Sequence, residues 1–350
     1  MENTDMPPLK RWTESLASGL VIPALPLALS EDGQWSERHQ QALLRYYIES
    51  GAGGVAAAVH STQFEIRDPE HGLFEPVLRL TSEVLDQYAA PDFVRIAGIC
   101  GRTPQAIKEA EFIRDTGYHA GLVSLAALSD SSESAAIEHI KAVSEVIPVI
   151  GFYLQPAVGG RVYRYSFWRE FCEIENVIAI KIAPFNRYQT WDVIRAVIES
   201  GRRDITLYTG NDDNIISDLI TPFVWKDEVR YIAGGLLGQW GVWTKAAVEM
   251  FPQIKTDRAS GTIASHWMTQ NAALTDANAA VFDAANGFSG CIPGILEVLR
   301  RQGLVPSTRC LNANERMSPG QAEELDRIIE AYPEFIDDEF VAENLDRWLE

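Results

Sequence analysis

From about residue 20 the chain alternates short apolar runs with longer segments of mixed polarity. The runs fall at 21–29, 55–59, 93–98, 120–125, 148–154, 177–183, 205–209 and 230–233, and they predict strands. The segments at 36–50, 69–88, 103–117, 131–146, 166–174, 190–200, 214–225 and 239–251 carry helical periodicity. Thr103-Pro104 supplies an N-cap and a first-turn proline, and Gly51, Gly117 and Gly201 close helices where a left-handed residue is wanted. Eight short-looped strand–helix units predict an α/β fold, a (β/α)8 TIM barrel over residues 1–255. An open doubly wound sheet would carry a glycine-rich phosphate loop after its first strand, where this chain has Pro23-Ala24-Leu25-Pro26. Past residue 251 the strand pattern stops. Helical patterns at 259–286 and 293–302, a capped start at Ser318-Pro319-Gly320-Gln321 and an acidic amphipathic end at 337–350 predict a helical region, 256–350, packed on the barrel.

One run departs from the rest. In Val177-Ile178-Ala179-Ile180-Lys181-Ile182-Ala183, the isoleucines share one parity and Lys181 shares the other with two alanines. That is the pattern of a barrel strand with large aliphatics facing the helices and small residues facing inward around an amine. A buried lysine without a carboxylate partner loses proton affinity and becomes a nucleophile. The competing reading is a lysine at a strand end that reaches water or an ion pair.

Other strand ends narrow the choice, because a barrel of this type works at the C-terminal ends of its strands. The run at 148–154 ends in Gly151-Phe152-Tyr153-Leu154-Gln155-Pro156; parity with Gly151 and Val149 predicts Tyr153 inside, beside Lys181. The run at 55–59 ends in His60-Ser61-Thr62-Gln63, whose hydroxyls can hold a carboxylate without adding charge, or serve as plain turn chemistry. Asp212 and Asp213 follow Gly210-Asn211 after the seventh run and suit either a substrate hydroxyl or a helix cap. The tryptophans late in the barrel, Trp225, Trp240, Trp243 and Trp267, read as core packing or subunit contact, with a substrate wall open to Trp240 alone.

Composition removes several function classes. The net charge is -19 with no basic tract, which argues against nucleic acid. No run is long enough to span a bilayer, and the polar residues 1–12 do not make a signal sequence. Cys100, Cys172, Cys291 and Cys310 stand apart, as expected in a reducing cytoplasm, and the six histidines form no metal motif. Neither a metal nor a bound cofactor is expected.

Together these residues resemble the dihydrodipicolinate synthase / N-acetylneuraminate lyase family of class I aldolases, over residues 19 to about 331. Tyr153-Leu154-Gln155-Pro156 is similar to the family's Tyr-x-x-Pro strand, and Ile180-Lys181-Ile182 to its Schiff-base strand. His60-Ser61-Thr62-Gln63 stands in place of its Gly-Thr-Thr-Gly-Glu motif, and Thr209-Gly210-Asn211-Asp212 in place of Ser-Gly-x-Asp. The resemblance implies Lys181 as imine-forming lysine and Tyr153 as acid–base group. It also implies binding of a 2-keto acid by Ser61 and Thr62, with His60, Gln63, Gly210, Asn211 and Asp212 around the rest of the substrate. A homodimer or homotetramer is implied as well, and the apolar Leu125-Ala126-Ala127-Leu128 suits a subunit contact.

The departures are informative. Phe64 stands where the acid of the hydroxyl motif belongs, and Val158 where the synthase has an arginine for its second substrate; Arg161 lies out of register. The lysine-pathway reaction is therefore disfavoured. The expected activity is aldol cleavage or condensation with pyruvate, or dehydration of a 2-keto-3-deoxy sugar acid. The alternative is a catalytically lapsed barrel that binds a ligand or serves assembly.

Overall fold

The computed structural model describes residues 8–350; of the segment read as polar and free of a signal sequence, residues 1–7 lie outside the described residues. The strands are β1 (Val21–Pro23), β2 (Gly54–Ala57), β3 (Val94–Ile99), β4 (Ala120–Val123), β5 (Val149–Leu154), β6 (Val177–Ala183), β7 (Thr206–Thr209), β8 (Phe223–Trp225), β9 (Glu228–Arg230) and β10 (Gly234–Leu237). The helices are α1 (Pro8–Ser18), α2 (Glu37–Ser50), α3 (Phe74–Tyr88), α4 (Thr103–Asp115), α5 (Glu133–Ser144), α6 (Tyr165–Phe171), α7 (Arg187–Ser200), α8 (Ile215–Ile220), α9 (Thr244–Ser260), α10 (His266–Val281), α11 (Cys291–Arg301), α12 (Gln321–Ala331) and α13 (Asp338–Trp348).

Eight strands pair in parallel in the order β1-β10-β7-β6-β5-β4-β3-β2. The seam between β1 and β2 is joined by an Ala24/Ala56 bridge and by the Leu25 N–H donating to the Ala56 carbonyl at 2.9 Å. This is the predicted (β/α)8 barrel with a helical C-terminal extension. Alternation along the strands sorts the side chains. Ile22, Ala56, Ile96, Leu122, Ala179 and Leu236 fill the lumen as one cluster, while Val55, Ala97, Val149, Ile180 and Leu207 join the outer core under the helices. Local chemistry sets the helix ends: Ser132 accepts the Ala135 N–H before α5, Asn186 accepts two amides before α7, and Gly201 closes α7 at φ 72°.

Three expectations are corrected. The eighth barrel strand is β10, at 234–237 rather than 230–233, because a small antiparallel hairpin, β8–β9, is inserted before it; the helix expected at 214–225 shortens to α8. Helix α1 was unmarked by any apolar run, yet it plugs the N-terminal end of the barrel. Trp12 stacks on His119 with centroids 4.9 Å apart, and the Tyr208 hydroxyl donates to the Leu16 carbonyl at 2.7 Å. Leu125 and Leu128, read as part of a subunit contact, are buried within the chain's own core, while Ala126 is exposed and Ala127 half-buried.

The extension is not a separate layer. Its expected start at residue 256 falls inside α9, and Leu299, Ile328 and Trp348 belong to the same outer core as Leu43 and Tyr46. Buried Asp337 ties it down, accepting from the Tyr46 hydroxyl (2.7 Å), the Lys245 N–H (3.0 Å) and Gln302 Nε2 (2.8 Å). Asp337→Ala strands those donors without water and is expected to lower unfolding free energy by about 2–3 kcal/mol, read by urea denaturation. A loss below about 0.5 kcal/mol would show that the node is replaceable by solvent. Among the described residues no helix is long and apolar enough to cross a membrane.

Candidate active site

The C-terminal ends of the strands open on a chamber of about 60 Å³ with Lys181 in its wall. The strand supplies the position, since Lys181 shares the inward face of β6 with Ala179 and Ala183. The small neighbours leave it room, and Gly210 completes that room. A β-carbon on Gly210 would stand 2.6 Å from Lys181 Cε, so only glycine lets the lysine lie along β7. Phe152 forms the adjacent wall, with its ring centroid 4.5 Å from Lys181 Nζ.

Ser61, His60 and Asp212 line the same chamber. Asp212 is fixed by the Gln239 N–H, which donates to Oδ1 at 2.9 Å. Burial pushes the Lys181 amine down from 10.5 to about 8, with Asp212 opposing the shift. Burial also raises the Asp212 carboxyl, against the lowering effects of the Gln239 N–H and the Lys181 charge. Low dielectric thus disfavours both charged forms at once and narrows the gap between their proton affinities. His60 is pushed down to about 4 by burial and by Lys181, so it is a neutral imidazole at ordinary pH.

Tyr153 lies elsewhere. On β5, Ile150 and Phe152 face the lumen, whereas Tyr153 packs against Trp168 on α6 at 4.9 Å and exchanges 3.3 Å hydrogen bonds with the Tyr163 backbone. Parity placed Gly151 inward together with Tyr153. Gly151 instead makes space for a helix, because a β-carbon there would meet the Phe171 ring at 2.5 Å. A bulge contributes: Val149 pairs with Val177 but Ile150 with Ala179, so β6 gains a residue and Phe152, not Tyr153, sits beside Lys181. Ile178, expected outside with the other isoleucines, packs on the lumen cluster at that bulge.

Other expected ligands are already engaged. The Thr62 hydroxyl donates to the Leu25 carbonyl at 2.6 Å and accepts the Val59 N–H; Ser61 lines the chamber, and its hydroxyl donates to the same Leu25 carbonyl over a longer 3.3 Å, a bond it would exchange for one to a substrate. Gln63 accepts the Leu311 N–H at 2.6 Å and ties the β2 loop to the C-terminal region. Asn211 accepts the Phe185 N–H and donates to Thr190 and Asp218. Arg161 donates to the carbonyls of Leu128, Ser129 and Ser131, so it does not replace the arginine missing at Val158. Trp240 packs over the outer side of Gly235 and lines a different cavity between α9 and α10.

Residues not foreseen complete the chamber. Phe185 follows β6, Phe282 follows α10, and Phe288, Cys291 and Ile295 come from the extension, which roofs the site. The positive φ of Phe185 (51°) and Phe288 (69°) has no counterpart in composition or periodicity.

No family model matches the chain, and no curated protein matches it in sequence. Solved structures do match in fold. A putative dihydrodipicolinate synthetase from Pseudomonas aeruginosa superposes with a TM-score of 0.71 at 16% identity, covering 90% of this chain and 98% of that one. A prophage protein of the dihydrodipicolinic acid synthase family from E. coli, in complex with pyruvate, gives 0.71 at 16% identity, with 89% and 97% covered. N-acetylneuraminate lyase from Fusobacterium nucleatum complexed with pyruvate gives 0.70 at 15% identity, with 90% and 97% covered. The chain thus has the fold of the dihydrodipicolinate synthases and N-acetylneuraminate lyases over nine-tenths of its length.

Proposed function

We propose that the protein is a class I lyase of the dihydrodipicolinate synthase / N-acetylneuraminate lyase family, forming an imine between Lys181 and a 2-keto acid. The observation that carries this reading is the desolvated Lys181 amine on a barrel strand beside a buried carboxyl. Pyruvate in two fold neighbours supports the choice of keto acid. The amine attacks C2, and Asp212 in its acid form protonates the departing hydroxyl, which leaves as water. The Asp212 carboxylate then takes a C3 proton to give the enamine. Ser61 donates to the keto-acid carboxylate. The enamine adds to an aldehyde, or the reverse sequence cleaves a 4-hydroxy-2-keto acid. No step calls for a metal or a separate cofactor. The implied homodimer or homotetramer rests on the resemblance alone, now that Leu125 and Leu128 are internal.

A second reading, a barrel that binds a keto acid without turnover, is favoured by one observation: the family's tyrosine faces away from the chamber. Exchange of the pyruvate methyl protons with deuterium oxide, followed by NMR, separates the two. Catalysed exchange is the expected result, and binding without exchange would establish the second reading. The rate should also report the lysine. Attack needs the free amine and loss of water needs the Asp212 acid, so exchange should rise with pH toward about 8 and fall at higher pH as Asp212 loses its proton. A limb still rising toward 10.5 would mean that Lys181 keeps the proton affinity of an exposed lysine.

A further inference from the structure

The chamber is small. Its 60 Å³ accommodates about four water molecules, which matches the three carbons of pyruvate and little more. Whatever is joined to C3 must therefore lie in the adjoining vestibule of about 380 Å³, which shares His60, Val158, Phe288 and Cys291 with the chamber. Besides Phe152, three phenylalanine rings wall the chamber, and one of them, Phe288, also lines the vestibule. Phe185 and Phe288 meet edge to face at 5.8 Å, and Phe282 packs over Gly238, where a β-carbon would stand 2.7 Å from its ring.

Two of these rings are held there against backbone preference. Phe185 and Phe288 both occupy the left-handed region, which is unfavourable for a bulky residue. The Phe185 N–H is held by Asn211 Oδ1 at 3.0 Å and the Phe288 N–H by the Asp283 carbonyl at 3.0 Å. Both rings stay half-buried; Phe288 packs on the edge of the outer core, and Phe185 belongs to neither core cluster. Strain retained to keep apolar surface on a concave wall points to a ligand that covers it. Charge points the same way. Among the described residues no cation apart from Lys181 lines chamber or vestibule, and Glu65 and Glu315 face the vestibule, so an anionic group there would be desolvated without a partner.

We infer that the second carbonyl substrate is an uncharged, apolar aldehyde, best when aromatic; this rests on the imine reading above. In the condensation, C3 of the Lys181-bound enamine forms a bond to the aldehyde carbon. The aldehyde oxygen takes a proton from Asp212, and water then hydrolyses the imine to release a 4-aryl-4-hydroxy-2-keto acid and the free amine. Cleavage runs the same bonds in reverse, and no oxidant or reductant takes part.

The test compares pyruvate condensation with benzaldehyde, para-carboxybenzaldehyde and glyceraldehyde, in the full chain and in Phe288→Gly. Glycine accepts the local φ, so this variant removes the ring without adding strain. Benzaldehyde is expected to give a kcat/KM at least about tenfold above the other two, and Phe288→Gly should reduce that preference by about tenfold. Parity of the charged and neutral aryl aldehydes, a preference for glyceraldehyde, no condensation of benzaldehyde, or an unchanged preference in Phe288→Gly would each overturn the inference. If these failures occur while borohydride still traps pyruvate on the protein, the imine reading stands and only the aldehyde class is wrong. Absence of trapping removes both.

Discussion

Asp212→Asn is expected to slow exchange of the pyruvate methyl protons by about 10²–10⁴-fold, the usual contribution of a positioned acid–base group. Tyr153→Phe should leave exchange within a few-fold of wild type. The pair of substitutions tests which residue moves the proton, since resemblance alone assigns Tyr153. The Tyr153 hydroxyl is engaged with the Tyr163 backbone behind the strand, and no chamber-lining group touches it. Asp212 lines the chamber with Lys181 and is raised toward protonation by burial. Asparagine keeps an oxygen to accept the Gln239 N–H, so the variant changes proton transfer rather than the loop. A reversed outcome, with Tyr153→Phe inactive and Asp212→Asn active, would place the working conformation of β5 with its tyrosine turned inward.

The second large effect concerns Lys181 and has two readouts. Lys181→Met keeps the bulk of the side chain, removes the amine and is expected to reduce exchange to background. The same variant should unfold at higher denaturant, because a depressed lysine pKa is a cost of folding. The sign follows from linkage: the unfolded amine titrates near 10.5 and the folded one near 8. Below about pH 8 the unfolded state binds a proton more tightly, and the full penalty, about 2 kcal/mol or more, is present in wild type. Between about 8 and 10.5 the penalty fades, so the stability gap between Lys181→Met and wild type should close as pH rises. An active site that costs stability is the ordinary pattern. Equal stabilities at pH 7 would mean that the amine is solvated or fully paired in the fold.

Much of this was legible in the chain. The alternation of apolar runs and helical segments gave seven of the eight barrel strands nearly in place, and the alanines beside Lys181 put it inside. What the pattern could not resolve is which face of β5 turns inward. Both faces of a barrel strand are buried, so Val149-Ile150-Gly151-Phe152-Tyr153 carries no polar marker of direction. Glycine was the tie-breaker, and it serves a helix contact with Phe171 rather than the lumen. The roof was illegible for another reason: Phe288 and Cys291 line the chamber with Lys181 from more than a hundred residues away, an arrangement made by packing of the extension and not by any local period. The eighth strand was misplaced because β8 fell at the end of a segment read as a helix, and Arg230-Tyr231-Ile232-Ala233, running out of β9, is apolar enough to mimic a strand.

The central claim is that Lys181 becomes covalently bound to a 2-keto acid, and one measurement bears on it most directly. Protein incubated with saturating pyruvate and reduced with borohydride should carry one stable adduct by intact mass. Peptide mapping should place that adduct on Lys181, and Lys181→Met should carry none. An unmodified protein, or an adduct spread over surface lysines and undiminished in Lys181→Met, would contradict the account.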